Sequence, residues 1–371
     1  MKHCGMKSTS APKPTTSVSA ASGSPTPPIK AKAASSTKTK SAMIVSPSSF
    51  FSKLNSQINW HSASWMDNPR DMLHMINHFR KEMPQPLVGI GHSFGGNNLV
   101  NVSLMHPRLF ATHVLLDPVI AGPPSSTGGG LTQASTFRRD LWPSREEAIA
   151  GFKKSPFYQA WDPRVLDSWN QYGIRKTPTA VYPDVKDSVT LTTTKHQEVF
   201  TFLRPLYPDP NDAPFDEVTK ISHPDVDPII LASHNFYSPA PFNTLSQLKH
   251  LRPSVLYVFG GISNMSSPAL TAQKLALTGT GTGGSGGAKL GRVKEVTLPG
   301  IGHLIPMEVP VMTGENAAQW IGAQMEVWRA EAEKYAQWKK KDALSRQTVS
   351  EEWKKRIGGD LRARKDSPAK L

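Results

Sequence analysis

The stretch Pro86–Phe110, PLVGIGHSFGGNNLVNVSLMHPRLF, decides how the rest of the chain is interpreted. Its apolar run Leu87–Gly91 predicts a buried strand, and a helical pattern follows at once. The junction carries the spacing Gly-x-Ser-x-Gly around Ser93, which is typical of a serine held on a tight strand-to-helix turn with its hydroxyl exposed. The simpler alternative is that Ser93 only caps the helix. A nucleophilic Ser93 also requires a base elsewhere in the chain.

Further apolar runs predict a parallel sheet that is covered by helices on both faces. The other predicted strands are 111–118, 253–261 and 291–303, and the predicted flanking helices are 68–84 and about 314–341. Between the second and third strands lies an insert at about 121–250, rich in proline and aromatic residues. A capping box at Ser144 and Glu147 predicts one of its helices. An insert of that length is typical of a lid over a site.

The base and the acid are predicted from their order along the chain. After a Gly-x-Ser-x-Gly turn in a parallel sheet, the nucleophile is followed first by the acid and then by the histidine. Of the twelve histidines, only His303, in LPGIGHLIP, lies on a loop that leaves the last strand. The acid usually follows the strand after the lid, but VLYVFGGISNMSS has no carboxylate, and Asn264 is its nearest orienting group. Asp117 ends the preceding strand, and we predict that it orients His303. Its alternative is an ordinary Asp-Pro turn residue. The backbone N–H of Phe94 is the predicted oxyanion donor.

The net charge of +14 is confined to the two ends of the chain. Residues 1–66 hold eight lysines and no acidic residue, residues 329–371 hold thirteen Lys and Arg against seven Asp and Glu, and the part between is neutral. A neutral body argues against nucleic-acid binding. The composition predicts a disordered segment over 1–48, a folded domain over 49–341 and a basic tail over 342–371.

Several other classes of site or protein are excluded. Cys4 is the single cysteine, so no intrachain disulfide can form, and no run reaches the roughly 18 apolar residues that a membrane span needs. His74 and His78 share a helix face but lack the glutamate of a zinc motif, and the short HPDVD motif at 223–227 does not make a cation site by itself. The Gly-rich run 278–291 precedes a strand, which predicts a loop and not a phosphate cradle. We therefore expect no metal or organic cofactor.

Taken together, these features resemble the fungal peroxisomal α/β-hydrolases, which include toxin-biosynthesis hydrolases and the acyl-CoA hydrolase of mycophenolic acid biosynthesis. The resemblance runs from about residue 64 to the C-terminus, and its stretches are SWMDNPRDMLHMINHFRKEMPQPLVGIGHSFGGNNLVNVSLMHPRLF, HVLLDPVI, LRPSVLYVFGG and GRVKEVTLPGIGHLIPME. It implies an α/β-hydrolase fold with a helical lid, no cofactor, and cleavage of an acyl ester or CoA thioester through an acyl-enzyme. In that family the acid follows the strand that ends at Asp117.

The two chain ends carry further expectations. The terminal Ala369-Lys370-Leu371 is a variant of the Ser-Lys-Leu address, which predicts the peroxisomal matrix and binding to the import receptor. At the other end, this fold normally builds several strands before the nucleophile strand and takes its second oxyanion donor from a loop among them. The sequence before Ser93 predicts that those strands are missing and that Leu87–Gly91 lies at an open sheet edge. A misjoined or alternatively spliced N-terminus would account for this departure.

The sequence therefore predicts a serine hydrolase that cleaves a carboxylic ester or an acyl-CoA thioester with a bulky apolar acyl group. Ser93 attacks, His303 is base and then acid, and Asp117 orients the imidazole. Aromatic residues of the lid are expected to line the acyl pocket: Trp142, Phe157, Trp161 and Trp169. The alternatives are a catalytically inactive remnant, or a C–C hydrolase or acyltransferase with the same fold. A homodimer is compatible with the sequence.

Overall fold

The computed structural model describes residues 42–44, 64–122, 129–205 and 236–358. The strands are β1 (Ala42–Ile44), β2 (Leu87–His92), β3 (Phe110–Leu116), β4 (Leu141–Trp142), β5 (Ile174–Lys176), β6 (Val189–Leu191), β7 (Arg204–Pro205), β8 (Phe236–Tyr237), β9 (Ser254–Gly260) and β10 (Val293–Leu298). The helices are α1 (Asp67–His78), α2 (Phe94–Met105), α3 (Gly129–Phe137), α4 (Arg145–Lys154), α5 (Pro156–Gln159), α6 (Pro163–Tyr172), α7 (Lys195–Phe202), α8 (Ala240–Gln247), α9 (Pro268–Leu277), α10 (Ile305–Glu308), α11 (Pro310–Lys339), α12 (Ala343–Gln347) and α13 (Glu351–Gly358). The chain divides into two compact units, Met1–Ile321 and Gly322–Leu371.

The centre of the first unit is a parallel five-stranded sheet with the order β1-β2-β3-β9-β10. The four strands predicted from the apolar runs are all present, which confirms the predicted sheet. Because the strands run parallel, their carboxyl ends meet at one edge, where open α/β sheets bind their ligands. Ser93 directly follows β2 and Asp117 directly follows β3, so both residues begin at this edge.

The short strand β1 corrects in part the expectation that the nucleophile strand has an open edge. Ala42–Ile44 pair in parallel with Leu87–Gly89, so the first half of β2 has main-chain partners on both sides. β1 is the described part of the segment 1–48, and the other residues of that segment lie outside the described ranges.

The two faces of the sheet follow from the alternation of side chains along its central strands. Leu115, Tyr257 and Phe259 point to one face and pack with α1, α2 and α8. Val114 and the other alternate side chains of β3 and β9 point to the opposite face, where they pack on the beginning of α11. There the Trp320 indole N–H donates to the Thr112 hydroxyl over 2.8 Å. Both faces are therefore buried, as the continuous apolar runs predict.

The lid has a core of its own. It contains the antiparallel sheet β4-β6-β5, the pair β7-β8 and helices α3 to α8. The predicted N-terminal cap of α4 is present, since the Ser144 hydroxyl accepts the N–H of Glu147 over 3.2 Å. Three of the four aromatic residues expected to line a pocket pack with each other in this core, and the fourth, Phe157, is exposed at the surface: the buried three are Trp142, Trp161 and Trp169.

The core of the lid is shared with the short helix α10. Met307 is buried in the aromatic cluster of the lid, and Leu304 packs against that cluster. A main-chain bond fixes the same contact, because the N–H of Asp162 donates to the carbonyl of Met307 over 2.8 Å. The lid therefore packs directly on the segment that follows residue 303.

One buried amide joins the two roots of the lid. The Asn97 Nδ2 donates to the carbonyl of Val119, where the chain enters the lid, over 3.0 Å. It also approaches the carbonyl of Ala240, where the chain returns, at 3.5 Å. Asn97 is fully buried, and its Oδ1 accepts the Thr244 hydroxyl over 3.0 Å. Both roots are therefore held on the helix that follows the serine.

The glycine-rich run 278–291 packs on the 3-10 turn Leu248–His250. The N–H of Gly279 donates to the carbonyl of Leu248 over 2.9 Å, and the N–H of Gly281 donates to that of Lys249 over 2.7 Å. Both amides are thus engaged, as expected for a loop that is not a phosphate cradle.

The second unit is helical in its described part, with the end of α11 followed by α12 and α13. Asp342 caps α12 by accepting the N–H of Ser345 over 2.9 Å. None of the helices in the described residues combines the length and the apolar character needed to cross a membrane.

We predict that the fold loses stability in acid, because two of its histidines are buried. Burial lowers the pKa of His113 to about 4 and that of His92 to about 3, whereas an unfolded histidine titrates near 6.5. The unfolded chain therefore binds more protons, so their contribution is complete above pH 6.5 and is lost as pH falls toward 4 and 3. At pH 5 each histidine should cost about 2 kcal/mol of unfolding free energy relative to pH 7.

Urea unfolding at pH 7 and pH 5 measures this loss. The variant His113→Gln should lose about 2 kcal/mol less than the parent between the two pH values. His74→Gln, on an exposed position of α1, is the matched control and should leave the loss unchanged. An identical pH dependence in parent and His113→Gln would contradict the prediction.

Candidate active site

Ser93 lies on the tight turn between β2 and α2. Its backbone has φ 57° and ψ −127°, a combination that a residue with a side chain rarely adopts. Two bonds hold it there: the N–H of Ser93 donates to the carbonyl of Leu116 over 3.0 Å, and its carbonyl accepts the N–H of Val119 over 3.1 Å. The serine is therefore fixed by the ends of the neighbouring strand and is more than a helix cap.

The glycines around Ser93 are required by close backbone packing. A Cβ at Gly91 would lie 2.8 Å from the Gly95 carbonyl group and 2.8 Å from the Gly96 nitrogen. A Cβ at Gly96 would lie 2.8 Å from the Cβ of Pro118. Side chains at these positions would push α2 away from the sheet, so Gly91 of the Gly-x-Ser-x-Gly motif and the neighbouring Gly96 are both required for the tight turn.

His303 reaches Ser93 from the loop after β10. Its Nε2 lies 3.0 Å from the Ser93 Oγ, and its side chain is 12% exposed. Two contacts place the loop: the N–H of Gly302 donates to the Glu308 Oε2 over 3.0 Å, and Gly260 leaves room for the carbonyl oxygen of Gly302, which a Cβ there would overlap. The structure thus brings together the predicted base and the predicted nucleophile.

Asp117 completes the arrangement from the end of β3. It is fully buried, its backbone has φ 42°, and its N–H donates to the carbonyl of Val258 over 2.8 Å. Its Oδ2 accepts the Nδ1–H of His303 over 2.6 Å. The imidazole proton therefore sits on Nδ1, which leaves Nε2 free to accept the proton of the Ser93 hydroxyl.

His92, the residue before Ser93, contacts the loop of the base. Its ring lies 4.8 Å from that of His303, and its Nε2–H donates to the carbonyl of His303 over 2.7 Å. Burial, with a further contribution from His303, lowers the pKa of His92 to about 3, so it is a neutral donor at physiological pH. The position beside Ser93 was the only signal in the sequence.

Two hydroxyls that sequence analysis also missed contact the carboxylate of Asp117. The Ser263 hydroxyl donates to Oδ2 over 2.5 Å, and the Ser266 hydroxyl donates to Oδ1 in a very short bond. Both serines lie in the loop after β9, on either side of Asn264, which is exposed.

The backbone N–H of Phe94 lies at the start of α2. As the first residue of the helix, Phe94 has an N–H without an acceptor inside the helix, at the positive end of the helix dipole. Its ring packs 5.5 Å from that of Trp65, whose indole N–H donates to the carbonyl of Thr201 in the lid over 2.7 Å. The helix start beside the serine is therefore suited to a negative charge and bordered by aromatic rings.

The other candidate sites of the sequence do not form metal centres in the described residues. Across 64–122, 129–205 and 236–358, no group of three histidine, cysteine or acidic side chains could hold a metal ion. His74 and His78 lie exposed on α1, with ring centroids 6.4 Å apart. The HPDVD motif and the terminal Ala369-Lys370-Leu371 lie outside the described residues.

The turn after β2, with a histidine and an aspartate reaching it from the same sheet edge, defines the α/β-hydrolase class. Comparison with known sequences goes one step further: the chain belongs to the family of fungal α/β-hydrolases that includes the type I acyl-CoA thioesterase mpaH of Penicillium brevicompactum. That protein is 42% identical over 315 residues, which cover 79% of this chain and 71% of the relative. No family model matches the sequence.

More distant relatives agree on the class. The abhydrolase domain-containing protein ACTT2-2 of Alternaria alternata is 28% identical over 261 residues, covering 67% of this chain and 92% of that protein. Among solved structures, the peroxisomal α/β-hydrolase Lpx1 of Saccharomyces cerevisiae superposes with a TM-score of 0.51 at 16% identity, covering 84% of this chain and 72% of the other. This structural match bears on the fold alone.

Proposed function

We propose that the protein is a serine thioesterase that hydrolyses acyl-CoA through an acyl-enzyme on Ser93. One observation carries the proposal: a continuous chain of hydrogen bonds runs from the Ser93 hydroxyl through His303 to the buried Asp117. The 42% identical relative is named a type I acyl-CoA thioesterase, which favours a thioester over an oxygen ester as the substrate.

In the acylation step, the His303 Nε2 takes the hydroxyl proton as the Ser93 Oγ attacks the carbonyl carbon of the thioester. The negative charge that develops on the carbonyl oxygen is stabilised by the N–H of Phe94 and by the start of α2. Collapse of this intermediate breaks the C–S bond, and the imidazolium gives its proton to the departing sulfur. Free CoA leaves, and the acyl group remains on the serine.

In the deacylation step, His303 removes a proton from water as the water oxygen attacks the acyl-serine. The second tetrahedral intermediate breaks the bond to the Ser93 Oγ, which recovers its proton from the imidazolium. A carboxylic acid is released. Asp117 keeps the imidazole in one tautomer and stabilises its charged form in both steps without taking the proton.

We also propose that the acyl group is bulky and apolar. Trp65 and Phe94 form an aromatic pair next to the serine, and Leu304 follows the histidine directly. Apolar surface of this kind favours an apolar substrate portion, since burying it removes that surface from water.

One expectation about localisation and two alternative functions accompany the proposal. The terminal Ala369-Lys370-Leu371 supports import into the peroxisomal matrix through its receptor. The inactive remnant is the less favoured alternative, because His303 lies within hydrogen-bond distance of both Ser93 and Asp117. An acyltransferase would differ only in using an alcohol in place of water during deacylation.

Mass spectrometry of the reacting enzyme tests the proposal. Purified protein is mixed with aromatic and long-chain acyl-CoAs and with p-nitrophenyl esters, and the reaction is stopped in acid within the first turnover. We expect an acyl adduct on the peptide that contains Ser93, followed by free acid in an amount equal to the CoA released. Transfer of the acyl group to an added alcohol would favour the acyltransferase, and a protein that remains unlabelled and inert would favour the remnant.

A further inference from the structure

The loop after β9 contacts the acid although it carries no acid of its own. Ser263 is 8% exposed and Ser266 is partly buried, and each donates its hydroxyl to a different oxygen of Asp117. The loop is shaped for this contact by two turns, since Ser263 N–H donates to the Gly260 carbonyl over 3.1 Å and Ser266 N–H donates to the Ser263 carbonyl over 3.2 Å. The serines are therefore held by the main chain as well as by the carboxylate.

A buried lysine lies behind the same loop. Lys274, on α9, is 1% exposed, and its Nζ donates to the carbonyl of Met265 over 3.3 Å. The Nζ also lies 5.4 Å from the ring centre of Phe259. Burial lowers the pKa of Lys274 to about 8, while the negative charge of Asp117 acts in the opposite direction. Lys274 thus fixes the loop between the two serines and places a positive charge near the buried carboxylate.

We propose that Ser263, Ser266 and Lys274 are positioning residues that hold Asp117 as an ionised and correctly oriented carboxylate. The inference rests on the proposed function, because it assigns these residues to the acid of the same triad. We call them the carboxylate clamp. A residue of the clamp does not contact the substrate; it acts through Asp117.

The physical need for a clamp follows from the burial of Asp117. An ionised carboxylate without solvent is strongly unfavourable unless donors satisfy its oxygens. His303 supplies one donor to Oδ2, and the clamp adds one hydroxyl on each oxygen. With donors on both oxygens the carboxylate cannot rotate about its C–C bond without breaking a bond. This fixes the oxygen that His303 contacts.

Serine variants test the clamp in the full-length protein with the best acyl-CoA substrate. Ser263→Ala and Ser266→Ala should each lower kcat by about tenfold, because each removes one hydrogen bond to a charged group, and the double variant should lower it by about 10²-fold. KM should change little. Ser267→Ala is the matched control: it removes an exposed hydroxyl of the same loop that caps no N–H of α9, and it should leave kcat unchanged.

A spectroscopic readout separates positioning from general damage. The Nδ1–H proton of His303, hydrogen-bonded to Asp117, should give a low-field proton resonance in the resting enzyme. The double serine variant should shift or lose this resonance while it remains folded at the assay temperature, although the loss of two donors to a buried carboxylate lowers its melting temperature below that of Ser267→Ala. An unchanged resonance together with unchanged kcat in the double variant would overturn the proposal, as would an equal loss of kcat in Ser267→Ala.

Lys274 is tested by the pH profile of kcat/KM. Among the described residues, the charged or titratable side chains that surround Asp117 and the loop of its partner are His303 from the loop after β10, His92 from β2, Lys274 from α9 and Glu308 from α10. In Lys274→Met the removal of a positive charge favours the protonated imidazole. The acid limb should therefore move to higher pH. Lys274→Arg should keep the limb of the parent, and a limb that does not move in Lys274→Met overturns the role of Lys274.

Failure of the clamp and failure of the proposed function give different results. If the parent releases no acid from any acyl-CoA, or releases it equally well without the Ser93 hydroxyl, the proposed function fails. The resonance of the resting enzyme still reports on the clamp in that case, because it requires no substrate. If the parent is active through Ser93 and the double serine variant matches it in kcat and resonance, only the clamp fails.

Discussion

Ser93→Ala is expected to lower kcat for acyl-CoA hydrolysis by about 10⁶-fold, the size of effect that follows removal of the nucleophile from a serine triad. The hydroxyl that accepts the acyl group is then absent, and the remaining rate reflects binding and oxyanion stabilisation alone. The measurement is the steady-state release of free thiol, with residual activity compared with that of the buffer. No acyl adduct should form on the protein.

The double variant Ser93→Ala/His303→Ala provides the control for this prediction. Because the two side chains act as a unit, removing both should cost no more than removing Ser93 alone. Melting temperatures of both variants should show that the fold persists. A Ser93→Ala protein that keeps more than about one hundredth of the parent rate contradicts a serine nucleophile, since that residue would then contribute less than a typical oxyanion donor.

Asp117→Asn is expected to lower kcat by about 10⁴-fold while leaving the geometry of the site nearly intact. In the parent, the carboxylate accepts the Nδ1–H of His303 over 2.6 Å, which leaves Nε2 unprotonated. An asparagine can present its NH₂ group to Nδ1, and the imidazole then carries its proton on Nε2. That tautomer cannot accept the proton of Ser93.

A second buried aspartate gives the matched control for Asp117→Asn. Asp140, in the lid, is 6% exposed. Its carboxylate accepts a hydrogen bond from the Tyr182 hydroxyl over 2.9 Å and forms an ion pair with Lys195 over 3.2 Å. Asp140→Asn changes the same functional group in a comparable environment and should keep kcat within about threefold, since Asp140 does not contact the histidine. A similar loss in both variants would show that the 10⁴-fold effect comes from general destabilisation and not from the tautomer.

The sheet and the three proposed catalytic residues were predictable because parallel strands impose one rule. Every loop at the carboxyl ends of the strands reaches the same edge, so chain order is enough to place Ser93, Asp117 and His303 near each other. Asp117 could be predicted as the acid because the sequence after β9, where the acid usually lies, contains no carboxylate.

The supporting residues were not predictable because nothing periodic marks them. Ser263 and Ser266 are common loop residues, and only the folded turn brings their hydroxyls to a carboxylate that is far away in the sequence. Lys274 would be expected at the surface, and its burial depends on tertiary packing. The aromatic residues of the lid were expected to line a pocket, but Trp142, Trp161 and Trp169 pack with each other in a core, which depends on the tertiary fold. Ala42–Ile44 is too short for an alternation pattern.

The shared packing of the lid and the short helix after His303 sets a condition for engineering specificity. A lid transplanted from a related enzyme would leave Leu304 and Met307 facing a foreign aromatic surface, and the acceptor for the Asp162 amide could shift with them. Because His303 directly precedes Leu304, its imidazole would then move as well. A functional chimaera in this family should therefore exchange residues 304–308 together with the lid, as a single cassette.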